Sequence, residues 1–301
     1  MKKVAIIGAG NVGAHIASAG ILKNLPVEFL LVDMNQQFET AQVLDLKDSL
    51  LFSPKAKIRG VDFGDKILSD ADIFVITAGV AQKTNESRCE LLGRNVEILK
   101  SIKKSLGKLK RTAIIIMVTN PVDIMTQLAC KIFDLPEGHI FGSGTLLDSS
   151  RLRWRLAERC KKNITDVSGF VMGEHGDSEF VAWSTVGGAN TLLSAEKRQI
   201  EQAVMREVYI IIEGKGATYF GIGSAVAEIL DTILSDEEKI LPLSVSLQGE
   251  FGIKGIALGV PVRLGKNGVG KAEALKLPAE ELQKLQESAK KLKNLLKEVH
   301  C

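Results

Sequence analysis

The chain has 301 residues, of which 45% are hydrophobic, so it can bury a sizeable core and has room for two domains. A net charge of only +3 and an aromatic content of 5% indicate neither a basic footprint nor stacking platforms for a nucleic acid. The four cysteines lie far apart and no apolar segment reaches the roughly 18 residues of a membrane span, so we expect no metal site, no disulfide framework and no membrane partner, and a cytoplasmic location.

A glycine-rich motif opens the chain. The apolar run from Lys3 to Ile7 leads into Gly8, Gly10 and Gly13, with the spacing G-x-G-x-x-G. Between a strand and a helix, the first glycine allows a tight turn, the second lets the backbone approach a pyrophosphate, and the third lets the helix pack closely on the strand. The motif therefore predicts a dinucleotide site at the N-terminus of the first helix.

A second apolar strand, Glu28 to Val32, ends at Asp33, 20 residues after Gly13. A carboxylate at this place can accept hydrogen bonds from both ribose hydroxyls of the adenosine and would repel a 2′-phosphate. We therefore predict NAD rather than NADP as the cofactor. An ordinary βαβ unit with a surface aspartate is the alternative, and the common register of strand, glycines, helix and acid disfavours it.

Strands and helices continue to alternate up to residue 142. Asn35 can cap a helix that runs to about Leu50. Later apolar runs and the segments between them predict strands at 57–61, 73–79, 112–118 and 140–142, and helices at 87–106 and 122–134. The alternation predicts an α/β fold with a Rossmann-type doubly wound parallel sheet, in which ligands bind beyond the carboxyl ends of the strands.

After residue 142 the regular alternation of predicted strands and helices ends. We expect an NAD-binding domain over residues 1–142 and an α+β substrate domain over residues 143–301. The predicted elements of the second domain are helices at about 145–161, 194–215 and 218–234, a strand at 166–172, two or three antiparallel strands between 240 and 264, and a closing amphipathic helix.

Three side chains of the second half are suited to acid–base chemistry on an alcohol substrate. His175 is the best placed of the four histidines, because Gly173 and Gly176 would bring its imidazole close to a ligand. Asp148 and Arg151 share one helix face, where a carboxylate could orient the imidazole and a guanidinium could bind a substrate carboxylate. On spacing alone, an ordinary intrahelical ion pair explains these two residues better.

Together these segments resemble the lactate/malate dehydrogenase family over nearly the whole chain. The matching blocks are residues 8–13, 33, 78–79, 82–83, 86–88, 119–123, 142–145, 147–151 and 173–178. The resemblance implies that His175 exchanges the substrate proton, Asp148 orients His175, and Arg151 binds the substrate carboxylate.

The same resemblance implies further site residues. Arg88 would lie on a mobile loop and polarise the substrate carbonyl, Asn120 would add a hydrogen bond, and Thr218 would line the substrate pocket. The full predicted cofactor site consists of Gly8, Gly10, Asn11, Val12, Gly13, Asp33, Thr77, Ala78, Gly79, Asn95, Thr119 and Asn120.

Gln82 decides between the two main activities of the family, because the malate dehydrogenases that resemble this chain carry an arginine there. Oxaloacetate would bring a second carboxylate into a closed site with no cation opposite it, whereas pyruvate brings only a methyl group. We therefore expect an NAD-dependent L-lactate dehydrogenase that transfers hydride reversibly between L-lactate and NAD.

Several alternatives stay open at this point. A malate dehydrogenase or a broader L-2-hydroxy acid dehydrogenase would use the same chemistry, since an apolar pocket discriminates weakly between chain lengths. An NAD-dependent glycosidase and a non-catalytic NAD-binding protein are weaker alternatives. The resemblance also implies a homodimer or homotetramer.

Overall fold

The computed structural model describes residues 1–80 and 88–298, without the side chains of residues 88 and 89. In these ranges the chain forms one nine-stranded sheet and one two-stranded sheet. None of the described helices is long and apolar enough to cross a membrane.

Six parallel strands make up the first part of the large sheet. The strands are β1 (Lys2–Ile7), β2 (Val27–Val32), β3 (Lys57–Gly60), β4 (Ile73–Ile76), β5 (Ile114–Met117) and β6 (Ile140–Gly142). Their spatial order is β3-β2-β1-β4-β5-β6, which reverses direction between β1 and β4. This is the Rossmann strand order, and it confirms the predicted doubly wound sheet.

Helices connect these strands and cover their apolar side chains. They are α1 (Asn11–Leu22), α2 (Gln36–Asp48), α3 (Lys66–Ser69), α4 (Arg88–Leu106) and α5 (Val122–Ile132). The Asn35 side chain accepts a hydrogen bond from the Phe38 backbone N–H, as expected of a helix cap. Every residue of β4, β5 and β6 is buried, which explains why these strands read as unbroken apolar runs.

The second half of the chain extends the same sheet and adds helices. Its elements are α6 (Leu146–Cys160), β7 (Phe170–Met172), β8 (Phe180–Ala182), α7 (Ser194–Lys215), α8 (Phe220–Ser235), β9 (Lys239–Gln248), β10 (Lys254–Gly265), β11 (Gly268–Ala272) and α9 (Ala279–Glu298). Strand β9 runs antiparallel to β6, and β10 and β11 follow it outward, while β7 and β8 pair with each other.

The strand predicted over residues 166–172 is shorter in the structure. Only Phe170–Met172 form the strand, because Ile164–Asp166 form a 3₁₀ turn. Gly169 then adopts a φ of +149°, a backbone conformation that suits glycine and separates the turn from the strand. The prediction was wrong for the first half of this segment because the sequence pattern does not reveal such a turn.

Gly13 lies where α1 packs against β1. A β-carbon at this position would lie 1.9 Å from the Gly8 carbonyl oxygen, so the helix would have to move. We expect Gly13→Ala to lower the free energy of unfolding by about 3 kcal/mol, measured by urea denaturation. Gly10→Ala is the control, because a β-carbon there would meet no atom within 4 Å. Equal losses in the two variants would contradict this explanation.

Candidate active site

The glycine turn and the ends of β1, β2 and β4 enclose a cavity of about 530 Å³. Gly8 has a φ of +110°, and a β-carbon there would lie 2.8 Å from the Ala78 backbone nitrogen, so the turn requires glycine. The cavity is lined by nine of the predicted cofactor residues, namely Gly8, Gly10, Asn11, Val12, Gly13, Asp33, Thr77, Ala78 and Gly79. The structure therefore brings together residues that the chain separates by up to 71 positions.

Asp33 is held in place by the backbone at the end of β2. Its two carboxylate oxygens accept hydrogen bonds from the backbone N–H groups of Ala9 at 2.8 Å and Asn35 at 2.9 Å. A carboxylate has about four lone-pair positions, so acceptor capacity remains for the two hydroxyls of a ribose. The cavity and its acid therefore fit the adenosine half of NAD.

The other three predicted cofactor residues form a hydrogen-bonded group next to this cavity. The Asn95 carboxamide accepts from the Val80 backbone N–H at 2.9 Å and donates to the Asn120 carbonyl at 2.9 Å. The Thr119 hydroxyl donates to the Ala78 carbonyl at 2.8 Å. These bonds join the segments that follow β4 and β5.

His175 and Asp148 form the centre of the second part of the site. His175 Nδ1 lies 2.6 Å from one carboxylate oxygen of Asp148, and Arg151 Nη1 donates to the other oxygen at 2.9 Å. Asp148 is only 1% exposed, since it projects from the first turn of α6 into the interior. The ion pair that spacing suggested is present, but it is buried and includes the imidazole.

The charges of this group shift its proton affinities in opposite directions. The Asp148 carboxylate raises the pKa of His175 to about 9, against the opposing effect of burial. Burial alone would raise the pKa of Asp148, but the charges of His175 and Arg151 hold it below its usual value. The imidazole is therefore protonated near pH 7 and can donate a proton from Nε2, while Nδ1–H bonds to Asp148.

Asp123, a residue to which the sequence assigned no role, holds the backbone of His175 in place. It accepts hydrogen bonds from the His175 backbone N–H at 2.8 Å and from the Ser244 hydroxyl at 2.6 Å. Burial raises the pKa of Asp123 to about 6, and the residue is 1% exposed. The signal in the sequence was its place at the end of the block 119–123, which matches the family but did not suggest a role for this residue.

Glu179 is a second acid that sequence reasoning missed. Ligand atoms of Glu179, Asp148 and His175 lie within 4.8 Å of one another, a grouping that is compact enough to contact a metal ion. Burial and the charge of Asp148 raise the pKa of Glu179 to about 8, so this carboxyl group holds its proton more tightly than an exposed glutamate does. Asp148 already bonds to both His175 and Arg151, so we describe the three residues as a cluster of acids around the histidine.

The remaining predicted substrate residues are placed only in part. Thr218 lies half-buried in the short segment between α7 and α8. Arg88 is the first residue of α4, and its side chain lies outside the described part of the structure. Gln82 belongs to residues 81–87, which are also outside the described ranges, so the predicted roles of these two residues stay predictions.

Comparison with known proteins identifies the family. Family models for the NAD-binding domain and the α/β C-terminal domain of lactate/malate dehydrogenases match residues 2–142 and 145–300. Curated L-lactate dehydrogenases of Treponema denticola and Thermoanaerobacterium saccharolyticum are 37% and 38% identical over 99% of this chain and cover 98% and 99% of their own lengths.

Solved structures agree with the sequence relatives. A lactate dehydrogenase from a Medee basin deep-sea metagenome library has a TM-score of 0.94 and 34% identity. The minor L-lactate dehydrogenase of Enterococcus mundtii has a TM-score of 0.93 and 34% identity, and both comparisons cover 99% of this chain and 98% of the other. These findings confirm the predicted fold, the NAD cofactor and the oxidoreductase class. The chain belongs to the lactate/malate dehydrogenase family.

Proposed function

We propose that His175, Asp148 and Arg151 carry out the reversible hydride transfer of an NAD-dependent L-lactate dehydrogenase. The activity was predicted from the sequence, and the full-length relatives named L-lactate dehydrogenase confirm it. The assignment of roles depends chiefly on one observation, the 2.6 Å contact between His175 Nδ1 and a buried Asp148 carboxylate that also pairs with Arg151.

In pyruvate reduction, His175 delivers the proton. When bound, NADH would be held by the residues that line the glycine-rich cavity and would supply the hydride that the carbonyl carbon accepts. As negative charge develops on the carbonyl oxygen, protonated His175 Nε2 gives it a proton and becomes neutral. Asp148 keeps Nδ1 protonated and so fixes the tautomer, and it stabilises the imidazolium of the starting state. In lactate oxidation the neutral imidazole takes the hydroxyl proton back.

The other proposed residues bind and orient the substrate. Arg151 can hold the substrate carboxylate with two N–H groups, which fixes the carbonyl relative to His175. We assign polarisation of the carbonyl to Arg88, a further hydrogen bond to Asn120, and pocket lining to Thr218 and Gln82. The family resemblance supports these four roles.

We propose that the two halves of the chain are separate domains with different roles. Residues 1–142 would form the NAD-binding domain and residues 143–301 the substrate domain, a division supported by the positions of the Asp33 cavity and of the Asp148–His175 pair. A cytoplasmic homodimer or homotetramer is likewise our proposal, supported by the family resemblance and by the wide separation of the four cysteines along the chain.

The proposed function is tested by steady-state kinetics. The rate of NADH oxidation is measured with pyruvate and with oxaloacetate, each titrated to give kcat/KM. We expect pyruvate to lead by at least about a hundredfold, because a second substrate carboxylate would stay unpaired. A lead for oxaloacetate would make the protein a malate dehydrogenase, and no turnover of either substrate would contradict the assigned catalytic roles.

A further inference from the structure

Glu207 on α7 contacts the arginine that we assign to the substrate carboxylate. One of its carboxylate oxygens lies 3.4 Å from Arg151 Nε, and the other accepts a hydrogen bond from Arg155 Nη2 at 2.8 Å. Arg151 and Arg155 are four residues apart on α6 and therefore point to the same side of that helix. Glu207 thus bridges two guanidinium groups across the α6–α7 contact.

Arg151 is surrounded by carboxylates before any substrate arrives. Its side chain is 5% exposed and lies between Asp148, bonded to Nη1, and Glu207, near Nε. Among the described residues, Arg151 Nε has no hydrogen-bond partner, so Glu207 balances its charge without completing its hydrogen bonds. The two arginines and two acids together have a formal charge of zero, so the excess positive charge near this anchor for an anion is that of protonated His175.

We propose that Glu207 is a positioning residue that competes with the substrate carboxylate for Arg151 and thereby sets the KM for the 2-oxo acid. The inference rests on the proposed function, in which Arg151 binds that carboxylate. An incoming anion and Glu207 repel each other within the contact distance of one guanidinium, where water is largely excluded. Arg155 stays hydrogen-bonded to Glu207, so Glu207 can move away from Arg151 and remain in an ion pair.

The effect is expected in KM and not in kcat. The substrate carboxylate keeps its charge throughout the reaction, so repulsion by Glu207 acts equally on the bound substrate and on the transition state. An interaction of this uniform kind changes the KM and leaves the chemical step unaltered. A residue that only stabilised the α6–α7 packing would not produce this separation.

The test is Glu207→Gln, which removes the charge and retains the side-chain shape. At saturating NADH we expect the KM for pyruvate to fall about three- to tenfold, with kcat within about twofold of the unmodified protein. In Arg155→Gln, Glu207 has only Arg151 left as a partner, and the KM is expected to rise. Both changes should depend only weakly on ionic strength, because salt screens buried charge pairs much less than exposed ones.

The matched control is Glu196→Gln. Glu196 also projects from α7 and has the same 19% side-chain exposure as Glu207, but its partner Arg159 lies one turn further from Arg151 along α6 than Arg155 does. Its replacement should leave the KM for pyruvate unchanged. Thermal unfolding of all three variants shows whether a kinetic change accompanies loss of the fold.

Direct binding separates this inference from the proposed function. The affinity for oxamate, an unreactive 2-oxo acid analogue, is measured by calorimetry in the presence of NADH and should increase in Glu207→Gln. Suppose that Glu207→Gln is active but has an unchanged or raised KM and an unchanged oxamate affinity. This result would overturn the competition by Glu207 and leave the proposed function intact. An unmodified protein that neither turns over pyruvate nor binds oxamate would overturn the proposed function as well.

Discussion

Asp148→Asn is expected to lower kcat/KM for pyruvate near pH 7 by about three to four powers of ten. The substitution keeps the shape of a side chain that is 1% exposed, but it removes the charge that faces both His175 and Arg151. The amide can also present its N–H₂ group to Nδ1, which would stabilise the wrong tautomer of the imidazole. Rates with saturating NADH measure the loss, and Asp45→Asn, at an exposed position of α2, is the control.

The pH dependence of Asp148→Asn distinguishes loss of charge from a general loss of structure. The Asp148 carboxylate raises the pKa of His175 to about 9, so the proton needed for pyruvate reduction is present below that pH and is lost above it. We therefore expect kcat/KM for pyruvate in the unmodified enzyme to fall as the pH rises through about 9. The rate of lactate oxidation, which needs neutral His175, should rise over the same range.

In Asp148→Asn the break in both profiles should move down toward about 6.5, the ordinary pKa of a histidine. The residual rate of pyruvate reduction would then increase on acidification, which is the opposite of what partial unfolding would produce. A break that stays near 9 in the variant would show that another group, such as Glu179, sets the proton affinity of His175. Asp148 is the largest cause of the raised pKa of His175 and Glu179 a smaller one, so we expect the break to move in the variant.

The cofactor site could be predicted from the sequence because its determinants are local. The turn around Gly8 and the carboxylate of Asp33 each follow directly from a short stretch of chain, and the parallel sheet brings the strand ends together in a known way. The Asn35 cap is of the same kind, since a capping side chain and its N–H partner are three residues apart.

The acid cluster around His175 could not be predicted in this way. Spacing put Asp148 and Arg151 on one helix face but left an exposed ion pair as the better explanation, and only burial of α6 against the rest of the protein decides otherwise. The contacts of Asp123 and Glu207 join residues 52 and 56 positions apart and arise from the packing of whole elements. No local pattern in one sequence contains that information.

Gln82→Arg is expected to change the preferred substrate from pyruvate to oxaloacetate. Residue 82 lies outside the described ranges, and its role in facing the substrate side chain rests on the family resemblance. An unpaired carboxylate in a closed site costs about 3 to 5 kcal/mol, and this corresponds to roughly two to four powers of ten in kcat/KM. A guanidinium at this position would remove that cost for oxaloacetate and would leave an unpaired cation opposite the methyl group of pyruvate.

Gln82→Met separates charge from shape in this experiment. Methionine has about the same length as glutamine and carries no charge, so pyruvate should stay ahead of oxaloacetate by about the original factor. If Gln82→Met also raised kcat/KM for oxaloacetate, the size or polarity of the side chain, and not its charge, would determine the choice. If Gln82→Arg left pyruvate ahead, residue 82 would not face the second carboxylate, and the charge argument for the substrate assignment would fail.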